Sequence, residues 1–338
     1  IRINMIFVKH LLLVAFISFP FVSIAQRNKQ TENKVFNHLD IALTAGTSGL
    51  GIELATPLGR MLQLRTGYSF MPEFSPIMTF DIQVGSDPTI SQQKFKKMAS
   101  ILEKFTGYEI NESIDMKGDP NFHNWSVLVD LFPFKNNKRW HFTAGFYLGS
   151  STIAEAYNTT EDMPSLMAVD IYNNIYDFFI EDRYWDTPIY NDFYLDPNVA
   201  DIAKEKLQNY GRMGMNMGNY SRDIKDEDGN IIHHKGDAYI MTPDENGMVK
   251  AKMKVNMFKP YVGFGYGGNL IKNNNNIRIS FNCGIMMWGG APKILTHDGI
   301  DLINDVKGTR GKVGCYVDVL EHLKIYPVLN LHLAYRLL

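Results

Sequence analysis

The closing stretch of the chain, KIYPVLNLHLAYRLL, alternates with a period of two. Ile325, Pro327, Leu329, Leu331, Leu333, Tyr335 and Leu337 fall in one phase, and Tyr326, Val328, Asn330, His332, Ala334 and Arg336 in the other. Successive strand side chains point to opposite faces, so this predicts a strand with one apolar face and one face of amide, imidazole and guanidinium groups. Seven earlier stretches repeat the pattern: FNHLDIALTAG, LGIELATP, MLQLRTGYSF, NWSVLVDLF, RWHFTAGFYLG, KPYVGFGYG and IRISFNCGIMMW. In the third, for example, Leu62, Leu64, Thr66, Tyr68 and Phe70 oppose Gln63, Arg65, Gly67 and Ser69.

Such an apolar face can meet a second sheet, as in a soluble β-sandwich, or lipid, as in a membrane barrel whose polar phase lines the lumen. The connections favour the barrel. After the short GTSG and LGR come long insertions at about residues 72–121, 151–256 and 289–323, alternating with the short FKNN and GGNLIKNNNN. An up-and-down membrane barrel sorts its loops this way, with short turns on one side and long loops on the other. A sandwich has no reason to sort loop length by parity. The expected fold is therefore all-β: an eight-stranded antiparallel transmembrane barrel with long extracellular loops containing short helices and hairpins. A periplasmic N-terminus would place every long insertion outside, and an even strand number would return the C-terminus to the periplasm.

The start of the chain agrees with export. MIFVKHLLLVAFISFPFVSIAQ puts Lys9 and His10 ahead of an apolar run from Leu11 to Val22, followed by the small-x-small triplet Ser23, Ile24, Ala25. This predicts a signal peptide over residues 1–25, with residues 1–4 as upstream read-through and cleavage before Gln26, leaving 26–338 as one barrel domain. No later segment reaches about eighteen uninterrupted apolar residues, so no helical span is expected. A net charge of −2 leaves no basic face for a nucleic-acid partner. Cys283 and Cys315 are too few for a disulfide framework, and Cys283 shares the apolar phase of Ile279, Phe281 and Ile285, where it serves as a filler.

On the signal peptide and the eight alternating segments, KPYVGFGYG and YPVLNLHLAYRLL above all, the chain resembles the small outer-membrane β-barrel proteins of Gram-negative bacteria. That group includes the membrane domain of the major outer-membrane structural protein. The resemblance implies an outer-membrane address with membrane lipid as a constant neighbour, and it marks no activity.

Eight strands enclose a lumen just wide enough for side chains to fill. Its expected charges are Asp40, Glu53 and Asp130 against Arg65, Arg278 and Arg336, with His141 and His332 among them. Charges confined in a narrow lumen must pair, because an unpaired buried charge is very costly, and the consequence is a plug. Hairpin parity predicts Glu53 opposite Arg65 and Asp130 opposite His141. Catalysis finds little to work with. His141 has Thr143, not Ser, as its same-face neighbour, and no Gly-x-Ser-x-Gly elbow occurs. His233 and His234 point to opposite faces of any strand, Met213, Met215 and Met217 read as a packing strand, and DEDGN reads as a hairpin turn. No catalytic residue, cofactor or metal is expected.

The insertions are too aromatic for disorder. Residues 170–194 hold nine aromatic side chains among six acids. Asp196 as N-cap, Pro197 at the first helical position and Gly211 as a stop bracket a helix, and SQQKFKKMASILEKFTG predicts another with Phe95, Met98, Ile101, Leu102 and Phe105 on one face. Hairpins are expected at DEDGN and PDENG. Together these make a folded cap over the barrel mouth. Tyr172, Tyr176, Tyr184, Trp185, Tyr190 and Tyr194 are either an exposed binding platform or the cap's own core. The expected function is a non-enzymatic outer-membrane protein whose cap binds a partner protein or a surface glycan. Transport through a larger or gated barrel, and lipid modification, are the alternatives.

Overall fold

The computed structural model describes residues 35–85, 88–134, 137–188, 194–271, 274–309 and 311–337. The expected signal peptide, its cleavage point and Tyr190 lie outside these residues. All eight alternating stretches are strands: β1 (Asp40–Gly46), β2 (Gly49–Pro57), β3 (Leu62–Phe70), β4 (His123–Leu131), β5 (Trp140–Gly149), β6 (Phe258–Ile271), β7 (Asn274–Met287) and β8 (Ile325–Arg336). Each pairs antiparallel with its chain neighbours, and β8 closes on β1 from Asp40↔Arg336 to Gly46↔Asn330. The strand order is the chain order, so short turns suffice at one end and the three long insertions leave from the other.

The register keeps its predicted parity but shifts by two residues in both hairpins. Arg65 faces Ala55, and Glu53 faces Gly67, because the β2–β3 turn is centred on Arg60 and not on Gly59. Asp130 faces Thr143 instead of His141, so the β4–β5 connection is centred one residue later than FKNN, while the Phe132 amide continues the β3–β4 ladder to the Met61 carbonyl at 2.8 Å. A shift of two preserves which face each side chain occupies, whereas a shift of one would have inverted it.

The cap continues the barrel wall. A five-stranded antiparallel sheet runs in the order Lys293–Thr296, Lys250–Lys254, Thr152–Asn158, Ser113–Pro120, Ile77–Asp81. Each of these strands lies next in sequence to β7, β6, β5, β4 and β3 respectively, in the same spatial order. The wall is therefore tall over β3 to β7 and low over β8, β1 and β2, where the β1–β2 turn ends it. Against one side of this sheet pack α1 (Pro88–Thr106), α2 (Met163–Ile180) and a second sheet in which Met213–Tyr220 pairs with Ala238–Met241, Val306–Lys307 and Gln83–Val84. The core between them includes Phe95, Ile114, Met116, Leu166, Tyr172, Met213, Met215, Met217 and Tyr239, all at most 2 % exposed. The methionine triplet is core.

Local signals explain part of the cap and miss part. In α3 (Pro197–Tyr210) the Asp196 carboxylate accepts the Asn198 amide at 2.9 Å, and Gly211 takes φ +85° at the end, as the bracket predicts. In α1 the buried face is Phe95, Ala99 and Leu102, with Met98 packed beside it; Ile101 and Phe105 are instead exposed, Phe105 by 84 %. DEDGN closes a hairpin between Ile224–Lys225 and Ile231–His233. PDENG is a turn held by Asp244, which accepts the Asn246 and Met248 amides, but it is no hairpin. Its flanking strands join different sheets, where each gains a longer ladder. Neither α2 nor α4 (Gly311–His322) follows from an amphipathic pattern.

Met215→Asp would bury an unpaired carboxylate in the cap core at a cost of several kcal/mol, on the order of 3–5. Limited proteolysis should then cut within residues 150–257, while the barrel keeps the fast gel mobility of the folded state in unheated detergent. Loss of that mobility would show that cap and barrel fold as one unit.

Candidate functional site

Inside the barrel, β2, β3, β4, β5 and β8 converge on one cation. The Arg65 guanidinium donates to Glu53 Oε2 at 3.1 Å and bridges Asp130, Nε to Oδ2 at 2.8 Å and Nη2 to Oδ1 at 3.0 Å. Thr143 Oγ1 donates to the same Asp130 Oδ1 at 2.7 Å, and His332 Nδ1 lies 3.1 Å from Glu53 Oε2. All five side chains are less than a tenth exposed. Asp40 forms a separate pair with Arg336 at 3.4 Å, beside His38, at the end away from the cap. His141 stands apart from both, with Nε2 2.9 Å from Asn282 Oδ1, and Arg278 lines the lumen without a direct ion pair among the described residues. Gly265 makes room for this pairing: a Cβ there would run into both Asn282 Oδ1 and His141 Nε2. The cavity left among these groups is about 60 Å³, enough for a few waters and no more.

Above the charges sits a layer that sequence reasoning missed. Leu128, Tyr147, Tyr261, Met286, Trp288, Val328 and Phe122 pack into an apolar stopper at the cap end, with the Tyr147 and Tyr261 rings edge-on at 5.4 Å. The signal for it was the inward glycines. Any side chain at Gly263 or Gly284 would strike the Tyr261 ring, so Gly on β6 and β7 marks where a large side chain crosses the lumen. Lys259, fully buried, was missed too. Its Nζ donates to Asn124 Oδ1 and to the Ser150 carbonyl, each at 3.2 Å, and lies 5.8 Å from the centre of the Phe122 ring.

The six aromatics of the cap divide. Tyr172 and Tyr184, 1 % and 3 % exposed, belong to the interior and not to a surface platform. Their hydroxyls donate to the Gly211 carbonyl at 2.8 Å and to Asp201 at 3.1 Å. Burial and the Asp182 and Asp201 carboxylates push the Tyr184 hydroxyl up to about 12. Tyr176 is half-buried against Tyr172, while Trp185 and Tyr194 are about half exposed, at 54 % and 51 %. Elsewhere in the cap, burial and the Asp298 carboxylate raise the Tyr239 hydroxyl far above its ordinary value. It therefore remains a proton donor to Asp298, 2.8 Å from each oxygen. Asp301 and Asp305 are occupied by the amides of Ile294, Ile303 and Asp301 and by Arg222, and the described residues contain no cluster able to hold a metal ion.

The outer face of the barrel decides its surroundings. Leu43, Ile52, Phe142, Phe264, Phe281 and Leu331 point away from the lumen and are 48–61 % exposed, a continuous apolar belt around a polar interior. Aromatic pairs edge the belt: Trp140 with Tyr266 at 4.8 Å away from the cap, and Tyr68 with Trp125 at 5.3 Å near it. Water would tolerate neither the belt nor the inversion. The chain is an eight-stranded transmembrane β-barrel.

No protein-family model and no curated protein matches the chain. Among solved structures, the barrel is similar to CarO2 of Acinetobacter baumannii, at 13 % identity and a TM-score of 0.36 over 90 % of this chain and 100 % of that one. It is also similar to a major outer membrane protein from Thermus thermophilus, at 11 % identity and a TM-score of 0.26 over 88 % and 98 %. A third is Ail, the attachment invasion locus protein of Yersinia pestis, solved with the heparin analogue sucrose octasulfate, at 5 % identity and a TM-score of 0.23 over 89 % and 94 %.

Two substitutions test the barrel's two faces. Leu331→Arg, on the belt, should destabilise it by about 2–4 kcal/mol, since a cation there meets hydrocarbon. Arg65→Met should cost about 3–5 kcal/mol by stranding Glu53 and Asp130, whereas adding Glu53→Gln and Asp130→Asn to it should recover most of the loss. Urea unfolding in lipid vesicles measures both; a triple variant no more stable than Arg65→Met would remove the charge-pairing account.

Proposed function

We propose that the protein is a non-enzymatic, self-plugged outer-membrane anchor that presents a folded cap outside the cell for a partner protein. The observation that carries this is a second apolar stripe on α2. Leu166, Val169 and Tyr172 face the core, yet Met167, Ile171 and Ile175 line the opposite side and are 54 %, 41 % and 46 % exposed. A helix apolar on both faces is ordinarily covered on both, so the outward stripe fits a protein surface. Trp185, half exposed beside the exposed Asp186, supports a glycan as the second candidate, its ring suited to an apolar sugar face and the acid to a hydroxyl.

Ile171→Arg with Ile175→Arg should abolish co-purification of a partner from intact outer membranes in mild detergent and leave the gel mobility of the folded barrel unchanged. Trp185→Ala should leave co-purification intact; the reverse outcome favours the glycan. Protease added to intact cells should cut within residues 153–256, and cleavage seen only after the outer membrane is opened would place the cap in the periplasm. In a planar bilayer the plugged lumen should give no stable open-channel steps. Regular unitary currents would restore the transport alternative.

A further inference from the structure

We propose that Lys254 and Lys293 form a docking site for the phosphate group of a membrane lipid, at the rim where the barrel wall passes into the cap. The two residues are directly opposite in the ladder between Lys250–Lys254 and Lys293–Thr296. Opposed strand residues have Cβ atoms only about 5 Å apart, and like charges so placed repel. The neighbouring lysines of the same strand are neutralised: Lys250 reaches Asp244 at 3.1 Å, and Lys252 reaches Glu155 at 3.5 Å. Lys254 and Lys293 have no such partner among the described carboxylates, and residues 253–258 and 287–293 contain no acid at all. The fold thus pairs off the lysines farther up the wall and leaves two facing cations together, which is the arrangement an oxyanion completes.

Their position selects the anion. Four residues along the strand from Lys254, Phe258 begins the apolar belt, and Met257, Phe258 and Met287 are 62 %, 53 % and 41 % exposed. The backbone stays in the ladder between them, with the Val255 amide on the Ser151 carbonyl at 2.8 Å and the Asn256 amide on the Trp288 carbonyl at 3.0 Å. At about 3.3 Å per residue, the lysines sit roughly 13 Å of chain beyond Phe258, less by the strand tilt. With a tilt of about 40° this is roughly 10 Å along the membrane normal, at the outer edge of a headgroup layer on the order of 5–8 Å thick, and the long lysine side chains span the remainder by reaching back toward the phosphates. A lipid with its acyl chains against Phe258 and Met287 would bring its phosphate to the two ammonium groups. The cap-outside proposal determines only which leaflet supplies the lipid.

The test titrates the purified, folded barrel with neutral-detergent micelles carrying either bisphosphorylated lipid A or the same lipid with its phosphates removed. The phosphorylated form should bind at least about tenfold tighter. Lys254→Gln with Lys293→Gln should lose about thirtyfold, from roughly 1 kcal/mol per basic residue at a charged membrane surface. Lys254→Arg with Lys293→Arg should keep the affinity, and so should Ile171→Arg with Ile175→Arg, which separates this site from partner binding by α2. Equal affinity for the dephosphorylated lipid, or full affinity in the folded glutamine pair, overturns the proposal. Competition by millimolar inorganic phosphate would reassign the site to a free anion and overturn the lipid assignment. If the glutamine pair does not fold, the wild type decides: preference for the phosphorylated lipid must fall as salt rises, and a salt-independent preference overturns the proposal.

Discussion

The barrel depends on Arg65. A closed strand wall in lipid must turn its polar groups inward, and eight strands leave room for too few waters to solvate them. Two carboxylates on different strands, Glu53 and Asp130, therefore need a cation that can serve both. Arginine suits the place because its planar fork offers several donors at once, where a lysine would offer a single point charge. Once Arg65 bridges β2, β3 and β4 inward, with Thr143 of β5 and His332 of β8 tied to the same carboxylates, five of the eight strands are locked in register from the inside. The lipid belt outside then follows from parity alone.

The cap builds on that locked wall. Because five barrel strands run on into cap strands without changing order, the sheet that holds the cap core inherits its register from the membrane segment. No separate interface has to be found between anchor and cap. The low side of the wall, at β8, β1 and β2, is where the sequence spends a tight turn and the α4 segment instead of ladder. The apolar stopper of Tyr147, Tyr261 and Trp288 lies at the level where the two parts meet, so the lumen is closed by charge below and by packed rings above.

What the chain revealed in advance follows a physical divide. All eight barrel strands were legible because a wall between lipid and a filled lumen forces strict alternation, and no tertiary contact can override the choice of face. The turn centres were not, since Arg60 or Gly59 can close the β2–β3 turn without changing any side chain's face, and the hairpin slid by two. In the cap the legible elements were those with local chemistry, such as Asp196 and Gly211 at the ends of α3. Helix α2 was missed because it is apolar on both faces, so no period stood out, and the five-stranded cap sheet was missed because its strands pair across long gaps, from Asp81↔Ser113 to Tyr157↔Lys250, beyond any local signal. The lumen charges were legible as a set, but their partners were not: Arg278 and His141 lie on the expected face and still take no part in the Arg65 bridge.

The inward glycines connect these levels. In KPYVGFGYG the outward phase is Val262, Phe264 and Tyr266, which any lipid-facing strand would accept, and the inward phase is Tyr261, Gly263 and Gly265. The missing side chains are spaces already assigned, Gly263 to the Tyr261 ring and Gly265 to the His141–Asn282 pair. A channel would use small inward residues to leave a bore; here each is matched by a larger group from a neighbouring strand, and only a cavity for a few waters remains. Space filled in this way leaves no open bore among the described residues of the lumen. The proposed recognition surfaces accordingly lie outside the lumen: the outward side of α2, the ring of Trp185, and the lysine pair at the lipid rim.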